Sequence, residues 1–333
     1  MFSPKALLKI IINTLIGIIL VFIWLRFVDL KQIIAAISAV NLALLAPAFF
    51  FMLLSPVIRA WRLKIFLRPI KKLNLPDLIF LNGVAQILNF FIPIRAGEVA
   101  KGVYLNHHYG LSLGKSIVWI FLDRFVDLIV VLIGAAALLL VIPTALHITF
   151  IKIIIVITVI SLGLTYLMVF QVKLAEKIVF FLMHLIPVRF IKIYIERVFN
   201  FFLEAFVILK RPSAYLGKLI ILTILAYGAD AAIWYFTFLA LSSPQEFTKM
   251  YLGQLLSALT YLIPAAPGYV GSAEASGLLI LSGIFGLDTN LASAMTVLFH
   301  IISALFVIIF GLISIYSLKI DLGMIFQKIL KRD

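Results

Sequence analysis

The sequence predicts an all-α polytopic membrane protein with about six transmembrane helices and two re-entrant helical hairpins arranged as an inverted repeat. Hydrophobic residues make up 64% of the 333-residue chain and charged residues 13%, which is far too apolar for a soluble domain. Six apolar runs are long enough to cross ~30 Å of hydrocarbon at ~1.5 Å per residue. They are residues 7–25, 42–58, 115–142, 147–170, 213–241 and 288–317.

The first run follows Lys5 and Lys9, as in a secretory signal peptide. The sequence after it, WLRFVDLKQ, lacks the small residues of a cleavage site. We therefore expect a retained transmembrane helix and an interfacial segment within residues 1–41. The chain has no cysteine, which excludes disulfides, thiolate metal ligands and cysteine nucleophiles.

Two apolar stretches, residues 76–108 and 245–285, are interrupted by proline and glycine. A continuous helix through such a proline loses a backbone hydrogen bond and clashes with the preceding turn. Each stretch is therefore predicted to be a pair of short helices that meet at a non-helical apex inside the protein. The interrupting residues are Pro93 and Gly97 in the first hairpin, and Pro264, Pro267, Gly268 and Gly271 in the second.

The two hairpins are related by an offset of 171 residues, which maps Pro93 onto Pro264 and Gly97 onto Gly268. The flanking spans follow the same offset, so span, hairpin and span occur twice, in residues 42–142 and 213–317. An odd number of crossings separates the two copies. They are therefore predicted to have opposite orientations in the membrane.

Residues 143–212 connect the two copies and contain a further span. Within them, residues 171–212 carry charges among apolar residues at helical spacing, which predicts two amphipathic helices, broken at Pro187, in the cytoplasmic interface. Residues 318–333 form a basic tail.

The chain has 28 Lys and Arg residues against 14 Asp and Glu residues, for a net charge of +14. With a cytoplasmic N-terminus, 22 of the 28 basic residues fall on the cytoplasmic side. This bias follows the positive-inside rule and places both termini in the cytoplasm. The basic loops are expected to contact anionic headgroups, and no nucleic acid is expected as a partner.

Charges inside a bilayer need a partner or a purpose, because each costs several kcal/mol there. Asp123 and Asp127 are four residues apart, so they face one side of their span, with Arg124 adjacent. Counted from the opposite end of the membrane, His300 reaches a similar depth. We therefore expect these carboxylates to pair with His300. A structural ion cluster and a transport role both remain open.

Arg95 and Glu98 flank the first hairpin break, and Glu274 follows the second. These three residues are expected to form a polar centre shared by both hairpins. Asn89 belongs to a polar stripe with Asn82 and Gln86 on the first half-helix. Hydrogen bonding between helices and lining of a pathway are both compatible with that stripe.

The 171-residue offset also relates Arg59 to Asp230. Arg59 is expected at the end of its span near the inner headgroups, with Arg62 one turn further, and Asp230 near the outer headgroups. Snorkelling of both arginines is one interpretation. A phosphate contact at the cytoplasmic mouth is the other, because guanidinium geometry suits a phosphodiester.

Four motifs in this order resemble the flippase-like membrane domain of lysylphosphatidylglycerol synthases and its stand-alone relatives. They are RAWR at 59–62, NFFIPIRAGEVAK at 89–101, LDRFVDL at 122–128 and PAAPGYVGSAEA at 264–275. The resemblance covers nearly the whole chain and implies two inverted repeats that translocate a lipid headgroup. The residues that it implicates are Arg59, Arg62, Pro93, Arg95, Gly97, Glu98, Asp123, Arg124, Asp127, Pro267, Gly268, Gly271 and Glu274.

The chain departs from that family in two ways. His300 stands where the family commonly has an arginine, which puts charge compensation there in question. The soluble aminoacyl-transferase domain is absent, so the chain is not expected to synthesise lysylphosphatidylglycerol by itself.

The function favoured by these observations is a lipid flippase in the cytoplasmic membrane of a bacterium or archaeon. Its expected substrate is an anionic or aminoacylated phospholipid, or a polyprenyl-linked lipid, and a lipid-modifying enzyme is an expected partner. No catalytic residue, metal site or cofactor is predicted. The alternatives are a membrane subunit of a headgroup-modifying aminoacyl- or glycosyl-transferase and an ion-coupled carrier of a soluble solute.

Overall fold

A computed structural model describes residues 4–68, 70–92, 96–184, 189–206, 213–260 and 266–320. This part of the chain contains α-helices and helical turns and no β-strand, so the predicted all-α class is confirmed. The helices of the first half are α1 (Pro4–Leu25), α2 (Leu30–Ser38), α3 (Leu45–Leu67), α4 (Leu75–Phe91), α5 (Ala96–Tyr109) and α6 (Leu113–Leu139). Those of the second half are α7 (Ile148–Phe170), α8 (Val172–His184), α9 (Arg189–Phe206), α10 (Ser213–Ala240), α11 (Phe247–Thr260), α12 (Ser272–Gly277) and α13 (Thr289–Ser317).

Four helical segments in the described ranges are long and apolar enough to cross a membrane, and the chain is a polytopic membrane protein. A fifth crossing results if α1 and α2, bent by 90° relative to each other, are counted as one span. The prediction of six spans also included α6, which is 27 residues long. Lys115 and the LDRFVDL charges set α6 apart from the purely apolar spans. The four segments are Leu42–Leu67, Ile148–Phe170, Tyr215–Ala240 and Thr289–Ser317.

The span predicted to end at residue 58 is longer than expected, because α3 continues to Leu67. The prediction ended the span at its first arginine, on the assumption that a charge marks the headgroup region. In the structure, both Arg59 and Arg62 find carboxylate partners on neighbouring helices. The helix therefore continues past them.

The first predicted hairpin consists of α4 and α5, which pack against each other. A Cβ atom on Gly97 would lie 2.2 Å from the carbonyl oxygen of Ala85, so only glycine allows this approach of the two helices. The residues between the helices, 93–95, lie outside the described part of the chain. The predicted roles of Pro93 and Arg95 therefore stay untested.

The second predicted hairpin contains α11, a short turn at Pro267–Tyr269, α12 and a π-helical segment at Leu278–Ile284. Gly268 and Gly271 have positive φ angles of 71° and 80°, which explains why glycine occupies both positions. Residues 261–265, including Pro264, lie outside the described ranges.

The order of elements repeats at the predicted offset. Shifting α3, α4, α5 and α6 by 171 residues brings them onto α10, α11, the α12 region and α13. Two large clusters of buried apolar side chains reflect this duplication, one around α4 and α5 and the other around α11 and the π-helical segment. The exact domain boundaries and the opposite orientation of the copies stay predictions.

The N-terminal helices pack against the second copy. α1 contacts α12 and the Pro267–Tyr269 turn, and α2 contacts α13. A Cβ atom on Gly271 would lie 2.1 Å from the carbonyl oxygen of Gly17 in α1, so the two backbones are in direct contact. At the bend, Asn290 accepts a hydrogen bond of 2.8 Å from the backbone of Asp29.

The amphipathic character predicted for residues 171–212 is evident in α8 and α9. Phe181, Phe190 and Tyr194 are exposed apolar side chains on these helices, and Lys173 and Arg197 supply exposed charges. α9 packs against α6 and α7. The predicted break at Pro187 lies outside the described residues.

We predict that Gly271→Ala destabilises the protein by several kcal/mol. A positive φ costs an alanine about 1–2 kcal/mol, and the added methyl group also collides with the backbone of Gly17. Gly286→Ala is the matched control, because Gly286 has a φ of 71° but no heavy atom within 4 Å of an added Cβ. Unfolding in detergent measures both. Equal losses for the two variants would show that the α1 contact contributes nothing.

Candidate functional site

Arg62 is the most deeply buried charge of the described chain, with 1% of its surface exposed. It projects from α3 toward α6 and α10. Its Nη2 lies 2.8 Å from Asp123 Oδ1 and 3.2 Å from Asp127 Oδ2, and its Nη1 donates to Thr223 Oγ1 at 2.7 Å. Asp123 and Asp127 do face one side of α6, as their spacing predicted. One arginine thus joins three helices.

Asp127 extends this contact to a second arginine. Arg124 Nη1 lies 3.4 Å from Asp127 Oδ2, and Arg124 Nη2 lies 3.1 Å from Glu98 Oε1 on α5. Glu98 Oε2 is in turn 3.8 Å from the Nζ atom of the buried Lys101. We call the connected residues Arg62, Asp123, Arg124, Asp127, Glu98 and Lys101 the ion network.

A separate ion pair joins α3 to α10. Arg59 Nη2 lies 2.7 Å from Asp230 Oδ2, and Ser55 donates to Asp230 Oδ1 at 2.6 Å. The Arg59 guanidinium also contacts Ser55 and lies over the ring of Tyr227, 5.5 Å from its centroid. Both partners are partly buried.

The predicted positions of these α3 and α10 residues are wrong. Arg59 and Arg62 do not snorkel at the end of a span, since both lie inside α3 and form ion pairs. Asp230 is not separated from Arg59 by the thickness of the membrane, since the two side chains bond directly. The 171-residue relation identified the pair, but the length assumed for the first span placed Arg59 at the wrong depth.

The charges of the ion network and the Arg59–Asp230 pair balance among the described residues. The four cations are Arg59, Arg62, Lys101 and Arg124, and the four carboxylates are Glu98, Asp123, Asp127 and Asp230. Such pairing offsets the desolvation cost that an isolated buried charge would carry. Arg124 differs from the other three cations because 43% of its side chain is exposed.

The polar stripe of α4 forms hydrogen bonds within the hairpin and to α3. Asn89 Oδ1 accepts from the backbone N–H of Gly97 at 2.8 Å, which ties the start of α5 to the end of α4. Asn82 Nδ2 donates to the carbonyl oxygen of Pro56 in α3 at 3.0 Å. Of the two interpretations of this stripe, hydrogen bonding between helices describes Asn82 and Asn89.

A second polar cluster closes the apex of the second hairpin. Glu274 Oε2 accepts from the Gly271 N–H at 2.7 Å, and Glu274 Oε1 lies 2.6 Å from His300 Nδ1. His300 Nε2 lies 2.7 Å from the carbonyl oxygen of Gly268. We call Gly268, Gly271, Glu274 and His300 the apex cluster. Pro267 begins the turn that carries Gly268.

The prediction that His300 pairs with the carboxylates of α6 is wrong. Glu274 is the carboxylate that contacts His300, and Arg62 takes Asp123 and Asp127. Depth along a helix does not specify which way a side chain points. α13 packs against α4 and α12, so His300 meets the hairpin instead of α6.

The apex cluster holds a proton between two side chains. Both ring nitrogens of His300 face oxygen atoms, and a neutral imidazole has only one N–H to donate. Both hydrogen bonds therefore require either an imidazolium beside a carboxylate or a neutral ring beside a protonated Glu274. In either form, the pair carries one proton more than a neutral histidine and a carboxylate together.

The structure leaves one predicted arrangement untested. Glu98 belongs to the ion network and Glu274 to the apex cluster. Arg95, the third member of the predicted shared centre, lies outside the described residues. That centre stays a prediction.

Sequence reasoning missed several residues that complete these contacts, namely Ser55, Thr223, Tyr227 and Lys101. Ser55 lies four residues before Arg59, one turn away on the same face, and this spacing is a signal that could have identified it. Lys101 lies three residues after Glu98, which is a comparable signal. Thr223 and Tyr227 carry no such signal.

With this geometry established, comparison with known proteins is decisive for the family. Residues 10–311 match the family model described as the lysylphosphatidylglycerol synthase transmembrane region. The chain belongs to this family. No match was found among curated proteins.

Membership in the lysylphosphatidylglycerol synthase transmembrane family confirms the resemblance inferred from the four motifs. The match spans both copies of the repeat and includes every member of the ion network and of the apex cluster. The family associates the chain with lipid headgroup metabolism or transport in membranes.

We predict that Glu274→Gln rescues the loss caused by His300→Ala. His300→Ala leaves a buried carboxylate without its partner, which costs about 3–5 kcal/mol. Glu274→Gln alone is mild, because a glutamine amide can donate to a neutral His300 ring and its oxygen can still accept from Gly271. The double variant should therefore be about 1–3 kcal/mol more stable than the two single losses together imply.

The measurement is unfolding of the purified parent and of all three variants in detergent, analysed as a double-mutant cycle. Strict additivity would mean that the contact between Glu274 and His300 contributes nothing to stability.

Proposed function

We propose that this protein is a lipid flippase that moves a lipid with an anionic headgroup between membrane leaflets. The candidate substrates are anionic or aminoacylated phospholipids and polyprenyl-linked lipids. Support comes from the family, from the duplicated hairpins and from charged groups held inside an apolar bundle. Broken helices that place polar groups within the membrane are a recurring feature of transporters built from repeats.

The observation that carries the proposal is the position of Arg124. Its guanidinium is held by Glu98 and Asp127, and Asp127 links it to the buried Arg62, yet 43% of its side chain remains exposed. A positioned, accessible guanidinium suits a phosphodiester, because its fixed N–H groups can contact two oxygens at once. The surrounding carboxylates would release such a headgroup again, since the network is balanced without it.

The cytoplasmic membrane of a bacterium or archaeon is the proposed location, with both termini in the cytoplasm. The excess of basic residues in the segments assigned to that side supports this orientation. A single cysteine at Lys192 in α9 should react with an impermeant maleimide in lysed cells only. The cysteine-free parent gives a clean background. Labelling in intact cells would reverse the assignment of α9 to the cytoplasmic face.

A second candidate function follows from the description of the family, which names a synthase. In that case, the chain is the membrane subunit of an enzyme that modifies lipid headgroups, and it acts with a separate catalytic partner. We propose that the chain itself is not an enzyme. Headgroup modification by the purified chain alone would contradict that proposal.

The experiment that tests the flippase is a leaflet assay in vesicles that contain the purified protein and fluorescent phosphatidylglycerol. A membrane-impermeant quencher reports the fraction of label in the outer leaflet. We predict that the parent accelerates exchange and that Arg124→Gln slows it roughly tenfold or more, which corresponds to a lost charged contact of about 1.5–3 kcal/mol.

Lys249→Gln is the matched control, because Lys249 also pairs with a carboxylate, Glu246, at 3.7 Å but lies outside the ion network. It should exchange lipid at the parental rate. If the parent exchanges no lipid with any anionic headgroup while a modifying enzyme co-purifies with it, the second candidate is favoured. Equal rates for Arg124→Gln and the parent would remove Arg124 from the pathway.

A further inference from the structure

A large apolar groove lies outside both polar clusters. It has a volume of about 630 Å³, within the range of ligand pockets, and is lined by α6, α7, α10 and α11. Ile133, Ile220, Ile224 and Phe247 line it and are also exposed, so the groove opens at the surface of the bundle. Neither the ion network nor the apex cluster contributes a residue to its walls.

The lining provides almost no polar group to an occupant. Its only hydroxyl-bearing residues are Thr165, Thr248 and Tyr251. Thr165 already donates to the carbonyl oxygen of Ser161 at 2.6 Å, and Tyr251 to that of Ile224 at 3.0 Å. A polar ligand would therefore lose its hydration without gaining hydrogen bonds. The chemistry of the walls selects hydrocarbon.

The groove is as tall as the hydrocarbon layer of a membrane. It is lined by Leu216, in the first turn of α10, and by Phe247, at the start of α11. The Phe247 ring packs against Tyr235 near the other end of α10. From Leu216 to Tyr235, α10 rises about 28 Å, compared with ~30 Å for a bilayer core. A compact ligand does not need such a length, whereas an extended chain does.

The groove also begins beside the exposed cation of the ion network. Phe125 and Val126 line it, and Phe125 directly follows Arg124 in α6. A headgroup held at Arg124 would thus lie within about one helical turn, ~5 Å, of the groove wall. This continuity connects a site for an anionic headgroup with a site for its tail.

We propose that the groove between α6, α7, α10 and α11 is a track for the acyl chain of a membrane phospholipid, running the height of the bundle. The chain stays in an apolar environment along the track while the headgroup uses the polar residues beside it. The inference rests on the proposed function for the movement of the lipid. Occupancy of the groove by an acyl chain can be tested separately.

The test uses phosphatidylglycerol with a photoactivatable diazirine near the end of one acyl chain, mixed into vesicles that contain the full-length protein. After illumination, mass spectrometry of peptides locates the cross-links. We expect labelling at Ile133, Ile220 and Ile224 to exceed labelling at Ile157 and Val159 several-fold. The latter two are exposed on α7 but do not line the groove, so they report ordinary surrounding lipid.

A filling variant provides the second measurement. Ala137→Trp places an indole in the groove at an exposed position of α6 and should lower groove labelling several-fold. Val159→Trp, on the outer surface of α7, should leave it unchanged. Equal labelling of groove and control positions in the parent would overturn the proposal, whether or not the filling variant folds. So would disulfide-linked dimers through a cysteine at Ile224 without lipid labelling, because a second copy would then fill the groove.

The leaflet assay on the same vesicles separates this inference from the proposed function. Groove labelling without lipid exchange would leave the acyl-chain site standing and overturn the flippase. Lipid exchange with cross-links distributed evenly outside the groove would support the flippase and overturn the track.

Discussion

The packing of this protein depends on the need to pair every charge that its apolar bundle encloses. Arg62 meets that need by contacting two aspartates of α6 and a threonine of α10 from its position on α3. Any shift of α3 relative to α6 would separate a buried guanidinium from its carboxylates, a loss of about 3–5 kcal/mol. The charges therefore specify which helices are neighbours, which a purely apolar surface would do only weakly.

The two hairpins solve the same backbone problem with different side chains. Non-helical backbone inside a membrane protein must find hydrogen-bond partners within the protein. In the first hairpin, Asn89 accepts from the Gly97 N–H. In the second, Glu274 accepts from the Gly271 N–H, and His300 reaches the carbonyl oxygen of Gly268 from another helix. The second apex is therefore held by α13 and by α1, through the close contact of Gly17 with Gly271.

Sequence patterns predicted the helices, their breaks and the repeat, because these depend on local hydrophobicity and on the backbone limits of proline and glycine. The shared face of Asp123 and Asp127 was predictable for the same reason, since helical spacing is local. Partner choice was not, as the positions of Arg59 and His300 demonstrate. Depth counted along one helix gives neither the direction of a side chain nor the identity of the adjacent helix.

The ion pair between Arg59 and Asp230 joins equivalent positions of the two copies, 171 residues apart. Equivalent positions that touch must lie close to the axis that relates the copies. In a dimer of two identical subunits, the same residue would face itself there, so that arginine would meet arginine or aspartate would meet aspartate. Opposite charges at this point are available only when the copies are fused in one polypeptide and have diverged. The pair therefore breaks the symmetry of the duplicated fold at its centre.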